Sequence, residues 1–199
     1  MPDATRNLDA SFPKPVKPIK LAHVVIRTPR FSESCAWWSK VLDAAPSYQN
    51  AQLNFMTYDD EHHRIGIINQ PDLQAQDATK AGVEHVAFTY DSLGALLATY
   101  RRLKREGIEP FWTINHGPTI SMYYRDPDGT KVELQHDVFP DPQAVEAFFA
   151  SGAYDENFMG INFDPEAMIL DYESGRPIEE IVKRPRLPSG MSPWEMLRT

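Results

Sequence analysis

The chain has 199 residues, 42% of them hydrophobic and 24% charged, enough for one well-buried domain or for two small modules sharing a core. A formal net charge of −8 argues against a nucleic-acid partner, because phosphate binding relies on clustered Lys and Arg. The single cysteine, Cys35, allows no internal disulfide and no thiolate metal cluster, which fits a reducing compartment. No apolar run reaches the roughly 20 residues that span a bilayer, and the first twenty residues lack the apolar centre of a secretory signal. The expectation is a cytoplasmic protein with no membrane partner.

Residues 1–19 hold four prolines and little apolar periodicity, and read as an N-terminal arm ordered only where it packs on something. LAHVVIRT (21–28) then reads as a buried strand and FSESCAWWSKVL (31–42) as a helix with Ser32 at its N-cap. APSYQ, LNFMTY and HRIGIIN follow as three short strands. The order then repeats. EHVAFTY (84–90) reads as a strand, DSLGALLATYRRLKREG (91–107) as an amphipathic helix stopping at Gly107, and PFWTIN, SMYYRD and TKVELQH as three more strands. Residues 139–199 offer two helix candidates, DPQAVEAFFASG and PIEEIVKR, between Pro- and Gly-rich stretches. They carry no chemical motif and are expected to be a cover or the contact of a homo-oligomer.

Setting His23 against His85 aligns HVVIRT with HVAFTY and the two helices without a gap, an internal duplication with a period of 62 residues. The fold class this implies is α+β: a βαβββ module over 20–75 and a second over 82–138, paired as an incomplete barrel around a metal site. His23 and His85 occupy the same position in the two repeats, so a two-fold relation between the modules directs both imidazoles to one point. Aligning HRIGI (63–67) with TKVEL (130–134) sets Glu133 opposite Gly66, so only the second module supplies a carboxylate. Two neutral imidazoles and one carboxylate form a facial triad that leaves neighbouring coordination positions open, a donor set suited to iron(II), with manganese(II) as a second candidate. Zinc is disfavoured, because nothing in the sequence calls for a closed tetrahedral site.

The stretch INHGPTISMYYRDPDGTKVE (114–133) resembles the signature of the type I extradiol ring-cleavage dioxygenases of the vicinal oxygen chelate (glyoxalase, bleomycin resistance, dioxygenase) superfamily, of which this chain would be a single-domain member. The matching elements are His116, Met122-Tyr123, Asp126-Pro127, Gly129 and Glu133, with a spacer at the short end of the family's range. The resemblance covers about 115 residues and implies His23, His85 and Glu133 as iron ligands. It also implies His63 of Glu61-His62-His63 as the acid and base, and His116 and Tyr123 as hydrogen-bonding partners of the substrate hydroxyls. The implied reaction is cleavage of an aromatic diol, such as 2,3-dihydroxybiphenyl or catechol, by O2. By strand alternation His62 and Tyr124 are expected to face away from the site, and His136 receives no role.

Two other readings share the scaffold. A lyase or isomerase of the glyoxalase or epimerase kind generally needs a fourth protein ligand, and Gly66 stands where that ligand belongs. A non-catalytic binding protein of the bleomycin-resistance kind has no reason to keep all three ligands together with His63, His116 and Tyr123.

Overall fold

The computed structural model describes residues 14–74, 76–77 and 79–198. Most of the arm expected over 1–19 lies outside the described residues, and its remainder, 14–19, is exposed. The first module runs through β1 (Val24–Thr28), α1 (Phe31–Leu42), β2 (Ala45–Gln49), β3 (Leu53–Thr57) and β4 (Ile65–Asn69). The second comprises β5 (His85–Tyr90), α2 (Leu93–Arg105), β6 (Trp112–Asn115), β7 (Thr119–Arg125) and β8 (Lys131–Asp137). Helix α1 buries Ser34, Cys35, Trp38, Val41 and Leu42, the three-to-four spacing of one helical face. Its N-cap is Arg30 and not the expected Ser32. The Arg30 amide donates to the Thr28 hydroxyl at 2.8 Å, so the end of β1 starts the helix and Ser32 falls inside its first turn. Helix α2 has the side-chain cap that α1 lacks, with Ser92 accepting from the Ala95 amide.

The strands form two sheets, ordered β1-β4-β3-β2 and β5-β8-β7-β6-β9, where β9 is Ile161–Asn162. The two sheets share no strand pairing and do not close into a barrel. In each module the first strand pairs in parallel with the last. Val25 lies opposite Gly66 and Ala87 opposite Glu133, so the duplication read from the sequence holds in the strand register itself. Ile26, Ile65, Ile67, Val132 and Leu134 face the helices and join Trp38, Leu96 and Leu103 in one core that spans both modules. Trp38, with no exposed surface, meets Phe88 edge-on at 6.2 Å and donates its indole N–H to Asp126 at 3.2 Å. Asp126, Pro127 and Gly129 of the signature form the β7–β8 turn, where Gly129 has φ 91° and its amide bonds the Asp126 carbonyl. Those three residues are architectural.

Trp38→Phe keeps an aromatic ring but leaves the Asp126 carboxylate, already pushed up by burial, without its indole donor. The expected loss is about 1–3 kcal/mol in urea unfolding. An unchanged midpoint and slope would remove that bond from the account of stability.

Beyond β8 the chain forms α3 (Pro142–Ala150), α4 (Ala153–Glu156), β9, α5 (Pro165–Glu173), α6 (Ile178–Ile181) and a 3-10 turn (Pro193–Met196). Strand β9 pairs with β6 and gives the second sheet a fifth strand, one more than the repeat predicts. Helix α5, absent from the sequence expectations, begins at Asp164-Pro165, an N-cap with proline behind it that does mark a start. Its apolar residues hide the period, since Met168 and Ile169 are buried while Leu170 is exposed. Among the described residues no helix is long and apolar enough to cross a membrane.

Candidate metal centre and active site

The face of the second sheet turned away from α2 carries the chemistry. His85 opens β5 and Glu133 lies on the parallel neighbour β8, and strand alternation puts both on this face. His85 Nε2 stands 3.0 Å from Glu133 Oε2. The Glu133 side chain is only 6% exposed, and burial alone would push its carboxyl up. Hydrogen bonds from His85, Ser121 and Tyr123 outweigh that cost and hold it below the usual carboxylate range. His85 is raised to about 9, first by its hydrogen bond to Glu133 and then, against desolvation, by Glu84. Glu84 bonds His85 Nδ1 and Lys131, so a second carboxylate fixes the ring from behind.

His116 and Tyr123 belong to the same cluster. The Nδ1–H of His116 donates to the Met159 carbonyl, and its Nε2 lies 3.1 Å from the Tyr123 hydroxyl, which shares its one proton between this nitrogen and the Glu133 carboxylate. Burial lowers the His116 pKa and keeps the ring neutral. Tyr123 is pushed far up, by burial first and by the Glu133 charge second, so its hydroxyl keeps its proton. Trp112 stacks on Tyr123 at 4.7 Å and meets His116 edge-on at 5.7 Å. Its indole N–H is held by Asn162 Oδ1 at 2.9 Å and the Met196 carbonyl at 2.8 Å. Ile114, Met159, Leu187 and Leu197 complete this apolar group, so the extension packs on the same face as the site.

The first module holds the other predicted residues. His23 is exposed and stacks on His63 at 4.3 Å, and His63 stacks in turn on Phe55 at 4.5 Å. Burial, followed by the neighbouring His23 and His62, lowers the His63 pKa. His62 does not face away as expected. Its Nδ1 lies 2.6 Å from His63 Nδ1, because both residues sit in the irregular segment before β4, where alternation does not apply. Gly66 is buried, and a Cβ there would meet Val25 at 3.3 Å and Phe55 at 3.4 Å. A longer side chain at the fourth-ligand position would have to displace Phe55.

The structure therefore joins two of the three predicted ligands. His85 and Glu133 form a pair, while His23 stands with His63, and among the described residues no three His, Cys, Asp or Glu side chains are grouped closely enough to hold one ion. The paired nitrogen and oxygen donors, one of them a buried carboxylate, fit a divalent first-row ion. Ser121 and Glu84 were missed from sequence. Ser121 lies two residues before Tyr123 on the same strand face, and that spacing was the available signal.

Residues 20–134 match the family described as Glyoxalase/Bleomycin resistance protein/Dioxygenase superfamily. The chain belongs to that superfamily. It is 42% identical to biphenyl-2,3-diol 1,2-dioxygenase 2 of Rhodococcus globerulus, over 81% of this chain and 86% of that protein. It is 38% identical to biphenyl-2,3-diol 1,2-dioxygenase 3 of the same organism, over 83% of this chain and 88% of that protein. Among solved structures, an integron cassette protein from the mobile metagenome of the Halifax Harbour sewage outfall superposes with a TM-score of 0.50 at 15% identity, over 60% of this chain and 99% of that one. That likeness shows a shared fold over the paired modules.

Proposed function

We propose that the protein is an iron(II)-dependent extradiol dioxygenase that opens the ring of biphenyl-2,3-diol or a related catechol with O2, both oxygen atoms entering the product. The observation that carries this reading is the pairing of half-buried His85 with buried Glu133 within one hydrogen-bond network with Tyr123 and His116. The 42% identity to a biphenyl-2,3-diol dioxygenase over most of the chain supports the choice of substrate.

His85 and Glu133 hold the ion in this proposal, and His23 joins them by leaving its stack on His63. Bound iron(II) supplies a path for electrons from the chelated diol to oxygen; manganese(II) is the alternative ion. Tyr123, with its proton retained, turns that proton from His116 and Glu133 to a diol oxygen as that oxygen gains negative charge. Neutral His116, with Nδ1–H committed to Met159, presents Nε2 as the acceptor that orients the Tyr123 hydroxyl. His63, kept neutral by its surroundings, takes up and returns a proton beside the substrate. Phe55 on one module and Trp112 and Phe111 on the other supply aromatic surface beside these groups. The packed Gly66 leaves no fourth ligand, which weighs against the lyase or isomerase reading. A homo-oligomer formed through the extension is part of the proposal, supported by the exposure of Leu170 and Trp194.

The test is anaerobic loading with iron(II), then 2,3-dihydroxybiphenyl in air. A yellow ring-opened product with equimolar oxygen uptake is expected. Absence of oxygen uptake, or oxygen-independent turnover of a hemithioacetal, would overturn the reading.

Metal uptake should also release protons. With His85 at about 9 in the metal-free pair, the ring is protonated at pH 7, and an ion taking its Nε2 must displace that proton. Affinity should therefore rise with pH up to about 9 and level off above it. Calorimetry at pH 7 in buffers of different ionisation enthalpy should report about one proton released per ion. Uptake independent of pH would show that His85 is not a ligand.

A further inference from the structure

Behind His116, on the side of the extension, the structure forms a half-open cavity of about 700 Å³. That volume accommodates a two-ring organic molecule. Phe139 and Phe148 supply aromatic wall, and Lys183, Arg184 and Arg186 bring three cations against the carboxylates of Glu156 and Glu179. A local excess of positive charge stands out in a chain of net charge −8. Arg184 is the inner cation. Its guanidinium lies 5.1 Å from the Phe148 ring and donates to the carbonyls of His116 at 3.0 Å, Asn157 at 2.8 Å and Ala153 at 2.7 Å. These acceptors are neutral, and among the described residues no carboxylate lies within ion-pair distance of Arg184. Burial disfavours its charge, so an anion entering the cavity would meet a cation whose desolvation is already partly complete. Phe148 also packs directly on Gly117, where a Cβ would stand 2.4 Å from the ring, so the cavity wall touches the residue after His116.

We propose that this cavity is a binding site for a planar organic carboxylate, with Arg184 as its anion partner and Phe148 and Phe139 as its ring-packing wall. The site is separate from the His85–Glu133 pair and does not depend on the ring-cleavage reading. Planarity follows from the aromatic wall, and the carboxylate from a guanidinium that feels the Glu156 charge only at a distance and, with three of its five N–H groups given to carbonyls, keeps two for an anion.

Calorimetric titration of the 199-residue chain with biphenyl-4-carboxylate and with its neutral isostere, biphenyl-4-carboxamide, tests this without turnover. The acid should bind at least tenfold more tightly than the amide. Arg184→Gln should remove that preference while leaving amide binding in place. Ser151→Trp, at an exposed wall position, should fill the cavity and abolish binding of both while leaving the Arg184 bonds intact. Glu133→Gln should leave both affinities unchanged. The proposal is overturned if acid and amide bind alike, if Ser151→Trp binds as the parent does, if Glu133→Gln abolishes binding, or if no heat of binding appears at millimolar ligand. Ser151→Trp decides the matter should Arg184→Gln fail to fold.

Discussion

Glu133→Ala should remove the metal and the activity together. The Glu133 side chain is 6% exposed and is the shared acceptor of His85, Ser121 and Tyr123, so its loss takes away one proposed ligand and the anchor of another. His85 would lose the interaction that contributes most to its raised pKa. Metal affinity should fall by more than the 10–100-fold that typically follows loss of an outer partner, and ring cleavage by about 10³-fold or more. His85, Ser121 and Tyr123 would lose a shared acceptor, at a cost of about 1–3 kcal/mol in stability, so Glu133→Gln serves as the folded control. Iron content per chain and oxygen uptake are the measurements. A variant that keeps full iron and full rate would refute the proposed ligand set.

His63→Ala should separate binding from chemistry. His63 lies between Phe55 and His23 and makes no contact with the His85–Glu133 pair among the interactions of either group. Iron content should stay near that of the parent, while kcat falls by about 10²–10⁴-fold and KM for the diol changes little. Since His63 also stacks on His23, the same variant reports on the first module's ligand. Loss of iron would show that the stack holds His23 in place for binding, and that His63 acts on the ligand and not on a proton.

The repeated βαβββ pattern was legible because His23, one residue before β1, and His85, which opens β5, head matching segments and because Gly107 stops the second helix. The register of Glu133 followed from the same alignment. Chain-wide alternation failed at His62, where the backbone is irregular, and local cap rules failed at Ser32, because the helix starts at Arg30, whose amide is held by Thr28 on the preceding strand. The extension was opaque for a related reason. Its role on the site face depends on long-range bonds such as Trp112 to Met196, which leave no periodic trace. Convergence of His23 with the other two ligands is likewise a property of tertiary arrangement, and the structure leaves that side chain stacked on His63.

The interior described above belongs to neither repeat alone, since Trp38 and Val41 of α1 lie in the same apolar cluster as Leu96, Leu103, Val132 and Leu134. Cutting the chain between the repeats would expose this surface on both fragments, and each would be expected to associate or aggregate in preference to standing alone. Heating the intact protein should correspondingly produce one cooperative transition, in which the two halves of an ancient duplication melt together.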